Sequence, residues 1–213
     1  MRTDDLVTML ATGAGAVPPH PVARRYVIGL GAGTLGAAVL MAMLLGPRPD
    51  LAAAIALPMF WVKTGFVVSF AAASLFPVWR LSRPGASLAW VSSVLGAPVI
   101  AIWLLAAVVL IRSDATQREV LFFGSSWNAC PFLIAFLSAP VFVAAVWTMK
   151  GLAPTRLRLA GGAAGLLSGA VGAMVYSVHC TEMAAPFIAF WYMAGMLIPT
   201  AVGALLGPRL LRW

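Results

Sequence analysis

Cys130 and Cys180 are the only two thiols in the chain, and His179 and Glu182 flank the second. A thiolate beside an imidazole can hold a soft metal. Two thiols whose Cα atoms come within ~4.4–6.8 Å can join as a disulfide. His179-Cys180-x-Glu182 with one remote cysteine matches no closed zinc motif, whose ligands arrive as close pairs. Cys130 and Cys180 are therefore expected as a sensing or disulfide-forming pair, with His179 and Glu182 as auxiliary metal or redox groups. The plainer alternatives are small apolar residues at helix ends, or a static staple, beside a short polar turn. No metal site is firmly predicted, and no cofactor.

Lys63 is the other residue that asks for an explanation. It is the thirteenth residue of the apolar stretch Leu51–Phe76, which would put it near a membrane midplane. A lysine there costs ~2.5–3.5 kcal/mol on insertion scales and faces a cavity or a partner. No Asp or Glu lies in any apolar stretch, and Asp50 is ~19 Å away along a helix. The ammonium must snorkel, bind backbone carbonyls, or lie against an aromatic such as Trp103.

Enzymatic readings fail on the same inventory, and no catalysis is expected. A quinone-coupled disulfide oxidase needs a second redox pair. A bundle haem protein needs facing histidines, but His20 and His179 fall near opposite ends of the chain's apolar part. Gly31-x-Gly33-x-x-Gly36 spells a dinucleotide fingerprint, yet no strand precedes it and it lies within an apolar span.

The elements that must position these residues follow from composition. Of 213 residues, 62% are hydrophobic and 9% charged, against about 25% charged in an ordinary globular domain. Six stretches reach the ~20 residues needed to cross a bilayer: Tyr26–Leu45, Leu51–Phe76, Leu88–Ile111, Cys130–Met149, Leu159–Val178 and Ala184–Leu206. Pro58, Pro98, Pro140 and Pro199 fall inside them, which neighbouring helices tolerate. The predicted fold is an all-α integral membrane protein of six transmembrane helices (residues 26–213), preceded by an N-terminal tail (residues 1–25). Arg2, Arg24, Arg25, Arg80, Arg83, Lys150, Arg156, Arg158, Arg209 and Arg212 share one side, and Arg48, Arg112 and Arg118 the other. By the positive-inside rule both termini face the cytoplasm and both cysteines the opposite side. The net charge of +8 is thus a topology signal, and direct nucleic-acid binding is not expected. The first 25 residues have two acids and no apolar core, so no cleavable signal peptide is expected.

Gly29 and Gly33, and Gly161, Gly165, Gly169 and Gly172, make small-residue faces that let helix backbones approach in lipid. Such faces serve packing within one chain or a homo-oligomer; packing within the chain is the expectation. Phe132 and Phe136, with Phe187 and Phe190, hint at a repeated hairpin on two short matches.

In the tail, Thr3 can cap a helix whose first turn carries Asp4 and Asp5, suited to the positive end of its dipole. Leu6, Met9 and Leu10 follow at i, i+3 and i+4. Gly13 and Gly15 stop the helix, and Val17-Pro18-Pro19-His20-Pro21 is a stiff extended linker to the membrane. So short a helix is marginal alone and reads as a ligand for a groove on a soluble partner.

The motifs Asn128-Ala-Cys130-Pro-Phe and His179-Cys180-Thr-Glu182-x-x-x-Pro186-Phe-x-x-x-Trp191-Tyr, with the Thr-x-x-Leu tail and the C-terminal Pro199, Gly203 and Gly207-Pro208, closely resemble the negative regulator of sigma-F family, membrane anti-sigma factors of proteobacteria. The resemblance covers nearly the whole chain. It implies a protein of the bacterial inner membrane that sequesters an extracytoplasmic-function sigma factor on the cytoplasmic side. Stress from an oxidant or a thiol-reactive metal such as chromate or cadmium would release the factor. It makes Cys130 and Cys180 the sensing pair and Asp4, Asp5, Leu6, Met9 and Leu10 the sigma-binding segment; Lys63 falls in a family-like Phe-Trp-x-Lys stretch without a role. The alternatives are a small transporter or metal exporter, with the cysteines as external ligands and Lys63 in the pathway, and a structural subunit of a larger membrane complex.

Overall fold

The chain breaks into helices where proline, glycine and charge interrupt its apolar runs. The computed structural model describes residues 2–12, 21–82 and 89–212. The Gly13–Gly15 stop, the linker up to His20, Arg83 and the expected Leu88 start lie outside them. The described helices are α1 (Thr3–Thr12), α2 (Pro21–Leu44), α3 (Leu51–Ile55), α4 (Pro58–Leu81), α5 (Val91–Arg112), α6 (Ala115–Phe123), α7 (Cys130–Lys150), α8 (Leu157–Tyr176) and α9 (Ala185–Leu210). No strand occurs among the described residues. Six helices, α2, α4, α5, α7, α8 and α9, are long and apolar enough to cross a membrane. Alternation gathers residues 45–57, 113–129 and 177–184 at one end of the bundle, here the cysteine end.

The second span departs from expectation. Leu57 is extended (φ −87°, ψ 132°) and Pro58 opens the spanning helix instead of sitting inside it. A residue before proline is pushed out of the α region, while proline itself suits the first helical turn. The Trp61 indole bonds the Ile55 carbonyl at 2.9 Å across the break. Lys63 is consequently the sixth residue of α4, ~8 Å from its start at 1.5 Å per residue. It belongs to the cysteine end, not the midplane.

α8 is the most buried of the six spanning helices, packed by α9, α7, α4 and α2. Its glycines explain why. A Cβ on Gly161 would fall on the Gly203 carbonyl oxygen, one on Gly165 on the Pro199 carbonyl, and one on Gly169 would lie 2.8 Å from Met196 Cα. From the other helix, Gly203 and Gly207 face the carbonyls of Gly161 and Leu157. On a different face, Gly172 meets the α7 backbone at Ile134, and Gly33 of α2 meets Val141 Cα at 2.9 Å. Lipid tails are as apolar as leucine, so association in a membrane relies on such close packing. The small-residue faces are therefore occupied within this chain. The two Pro-Phe segments are not equivalent: Phe187 is buried and Phe132 mostly exposed. α5 lies at the margin, burying only Ile102 and Ala106 among its residues.

Two substitutions should separate this seam from glycine's general effect. Gly165→Ala must displace backbone and should cost at least about 2 kcal/mol, in the range of overpacked cores. Gly31→Ala, with nothing within 4 Å, should be neutral or stabilising by up to about 1 kcal/mol. Unfolding titrations in mixed micelles measure both.

Candidate functional site

α8 ends at Tyr176, and its last carbonyl accepts from the His179 and Cys180 N–H groups at 2.9 and 3.0 Å. This places Cys180 in a tight turn above the helix end. Cys130 opens α7, its N–H donating to Ser126 O at 2.9 Å. Pro131 follows at the first turn, where a missing N–H costs nothing. Both cysteines are free and buried. The Tyr176 hydroxyl lies within hydrogen-bonding reach of both thiols, so the sequence-distant pair is gathered at one spot.

Lys63 completes the cluster. Its fully buried ammonium donates to the carbonyls of Cys180 at 2.8 Å and Glu182 at 3.0 Å. It also lies 5.3 Å from the centre of the Tyr192 ring. Of the three expected solutions the protein uses backbone carbonyls; the aromatic partner is Tyr192, and Trp103 remains largely exposed. Tyr192 comes inward from a π-helical turn at Ile188–Tyr192 within α9, and its fully buried side chain lies beside Cys180. Such single-turn π segments shift the facing of side chains within a helix and often occur at functional sites.

A second cation reaches the same turn. The Arg48 backbone N–H donates to Val178 O at 3.1 Å, and its Nη1 to the Cys180 carbonyl at 3.4 Å. Its Nε and Nη2 grip the Asp50 carboxylate at 2.7 Å each. That bidentate hydrogen bond holds the Asp50 carboxyl below its ordinary value of 3.8 and raises Arg48. A depressed acid contributes its stabilisation above the unfolded pKa and loses it as pH falls through the folded one. The Arg48–Asp50 tie is therefore constant between pH 5 and 8.

His179 and Glu182 are engaged elsewhere. His179 Nδ1 bonds the Gly46 carbonyl at 2.8 Å. The Glu182 carboxylate accepts from the Ser125 N–H and hydroxyl, each at 2.7 Å. It covers Gly124, whose positive φ of 56° suits glycine. These contacts staple the turn to the loops before α3 and α7. Among the described residues, no three His, Cys, Asp or Glu side chains gather as a metal site. Sequence reasoning missed Arg48, Asp50, Tyr176 and Tyr192. Arg48 counted only toward topology and Asp50 only as a carboxylate too distant for Lys63, while Tyr192 stood unremarked at the end of a family-like motif and Tyr176 carried no signal.

The tail forms the expected helix α1, but Thr3 is its first residue and not its cap. Arg2 precedes it: the Arg2 carbonyl accepts from the Asp5 and Leu6 N–H groups, and the Arg2 N–H donates to Asp5 at 3.2 Å, while Thr8 bonds the Asp4 carbonyl at 2.8 Å. All of its residues are exposed, Leu6, Met9 and Leu10 among them. The chain enters the bundle at the start of α2, whose 24 residues span ~36 Å before reaching the cysteine end.

The model of the family described as "Negative regulator of sigma F" (NrsF) matches residues 10–213. The chain belongs to the NrsF family. A protein of Azospira oryzae named "Probable anti-sigma-F factor NrsF" is 59% identical over the full length of both chains. The "Anti-sigma-F factor NrsF" of Caulobacter vibrioides is 39% identical, again over both full lengths. No solved structure matches.

Removing the ammonium tests the clamp. Hydrogen bonds to charged groups contribute about 1.5–3 kcal/mol each, so Lys63→Met should loosen the turn. In a Cys130→Ala background, alkylation of Cys180 by N-ethylmaleimide should accelerate at least about tenfold, the equivalent of about 1.4 kcal/mol. An unchanged rate would mean that other contacts hold the turn.

Proposed function

We propose that this protein holds an extracytoplasmic-function sigma factor inactive at the bacterial inner membrane through its N-terminal helix, and releases it when Cys130 and Cys180 are chemically altered on the opposite side. The observation that carries the reading is α1 in an NrsF-family chain: an amphipathic helix with Met9 60% and Leu10 65% exposed. An apolar stripe at i, i+3 and i+4 is what a helix-binding groove takes up, and Asp4 and Asp5 suit a basic rim. The ten-to-three division of Lys and Arg supports a cytoplasmic tail and a periplasmic cysteine end.

A route for the signal is available in the contacts. Altering the thiols disturbs the 177–184 turn, which Lys63 ties to α4. At the far end of α4 the Ser82 hydroxyl and the Val78 carbonyl hydrogen-bond Tyr26 of α2. The residue before Tyr26, Arg25, bonds the Trp147 carbonyl of α7 at 2.7 Å and stacks on its ring at 4.3 Å. A shift of α4 would thus reach the first turns of α2, directly after the tail. A switch needs two states that differ in contacts at both ends, and this chain of contacts connects them.

Co-purification from detergent is the test. Wild type should carry a sigma factor and shed it on oxidant or cadmium treatment, while Cys130→Ser/Cys180→Ser should retain it. Leu6→Asp/Leu10→Asp should reduce the bound sigma factor at least tenfold with the bundle intact. Absence of a sigma factor under every condition would overturn the reading, and flux into proteoliposomes would then test a transporter.

A further inference from the structure

The two cysteines are not equivalent in access. A partly open cavity of about 220 Å³ lies at the cysteine end, lined among others by Arg48, Ser126, Tyr176, His179, Cys180 and Thr181. Cys180 is on its wall; Cys130 is not, and is fully buried in the first turn of α7. The lining is polar where it matters. The Ser126 hydroxyl is buried without a hydrogen-bond partner among the described residues, and the Arg48 side chain, 4% exposed, brings a guanidinium to the Cys180 carbonyl. The space exceeds the ~30 Å³ of one water several-fold, room for a small polar molecule beside Cys180.

We propose that this cavity is the entry site for a small hydroperoxide, that Cys180 is the thiol oxidised first, and that Cys130 is the resolving thiol. The proposal rests on the cysteine-sensing reading above and assigns each sulfur its part. In the first step the Cys180 sulfur attacks the terminal peroxide oxygen. The S–O bond forms, the O–O bond breaks, and the thiol proton leaves with the alkoxide as ROH; sulfur is oxidised by two electrons to the sulfenic acid. In the second step the Cys130 sulfur attacks Cys180. The S–S bond forms, the S–O bond breaks, and hydroxide departs with the Cys130 proton as water.

The surroundings suit this division. Cys180 sits in the non-helical 177–184 segment, between α8 and α9, held by side-chain contacts and not by a helix ladder. Cys130 is held by helix geometry and by Ser126 O. Tyr176 is in reach of both sulfurs, so joining them would change its contacts. That change, and the pull on the Lys63-bonded carbonyls, would carry the oxidation into the bundle.

Full-length protein in nanodiscs, without any sigma factor, is treated with hydrogen peroxide in the presence of dimedone and mapped by mass spectrometry. In Cys130→Ala, Cys180 should take up dimedone at least ten times faster than Cys130 does in Cys180→Ala. Wild type should give the Cys130–Cys180 disulfide in place of the adduct. In sodium dodecyl sulfate the two single-cysteine variants should label at equal rates, showing that the difference belongs to the fold. Equal rates in the folded protein, faster reaction at Cys130, or no reaction at either would overturn the proposal. Preferential oxidation of Cys180 with the sigma factor still bound in the co-purification would leave this site standing and remove the sensing role.

Discussion

Backbone meets backbone along α8 and α9, where Gly161, Gly165 and Gly169 take the place of side chains, and the geometry of the cysteine end hangs from that contact. With the two helices locked carbonyl against Cα, the segment joining them has few ways to close. It turns over the end of α8, stays bonded to the Tyr176 carbonyl, and leaves Cys180 beside the first turn of α7. The same seam sets the depth of Tyr192, which the π turn brings under the Lys63 ammonium.

A fully buried lysine without a carboxylate is unusual. An ammonium stripped of water is costly, and α4 places it where only carbonyls and a ring face can compensate. The turn supplies what helices cannot, because carbonyls inside a helix are already spoken for. Lys63 and the 177–184 segment therefore depend on each other: the charge needs free carbonyls, and the free carbonyls need a donor. Arg48 adds a second donor to the Cys180 carbonyl from the loop before α3. Lys63 and Arg48 from outside, and the segment's own His179 and Glu182 reaching Gly46 and Ser125, hold a stretch that has no regular structure of its own.

The six-helix architecture was legible because hydropathy over some twenty residues leaves few alternatives. The tail helix was legible from its acids and its apolar spacing, but not from its cap, because Thr3 is already inside the helix and Arg2 precedes it. The second span misled: Leu51 to Phe76 has a single charge, Lys63, and hydropathy does not register the stop that Leu57-Pro58 imposes. That seven-residue shift moved Lys63 from the expected midplane to the cysteine end. The glycine spacing announced close packing, while the partner helices emerged only in three dimensions. His179 and Glu182 illustrate the reverse case. Their adjacency to Cys180 suggested shared chemistry, but adjacent residues in a turn point apart, and each found a loop partner remote in sequence.

The central claim is that the cysteine cluster and the tail helix lie on opposite sides of one membrane, so that the bundle relays a chemical event across it. Its most direct test uses single-cysteine reporters, Asn128→Cys and Thr12→Cys, each in a Cys130→Ala/Cys180→Ala background. Intact spheroplasts are labelled with a membrane-impermeant maleimide. The account predicts labelling at position 128 in intact spheroplasts and at position 12 only after permeabilisation. Labelling of both positions from the same side, or of position 12 alone in intact spheroplasts, would contradict it.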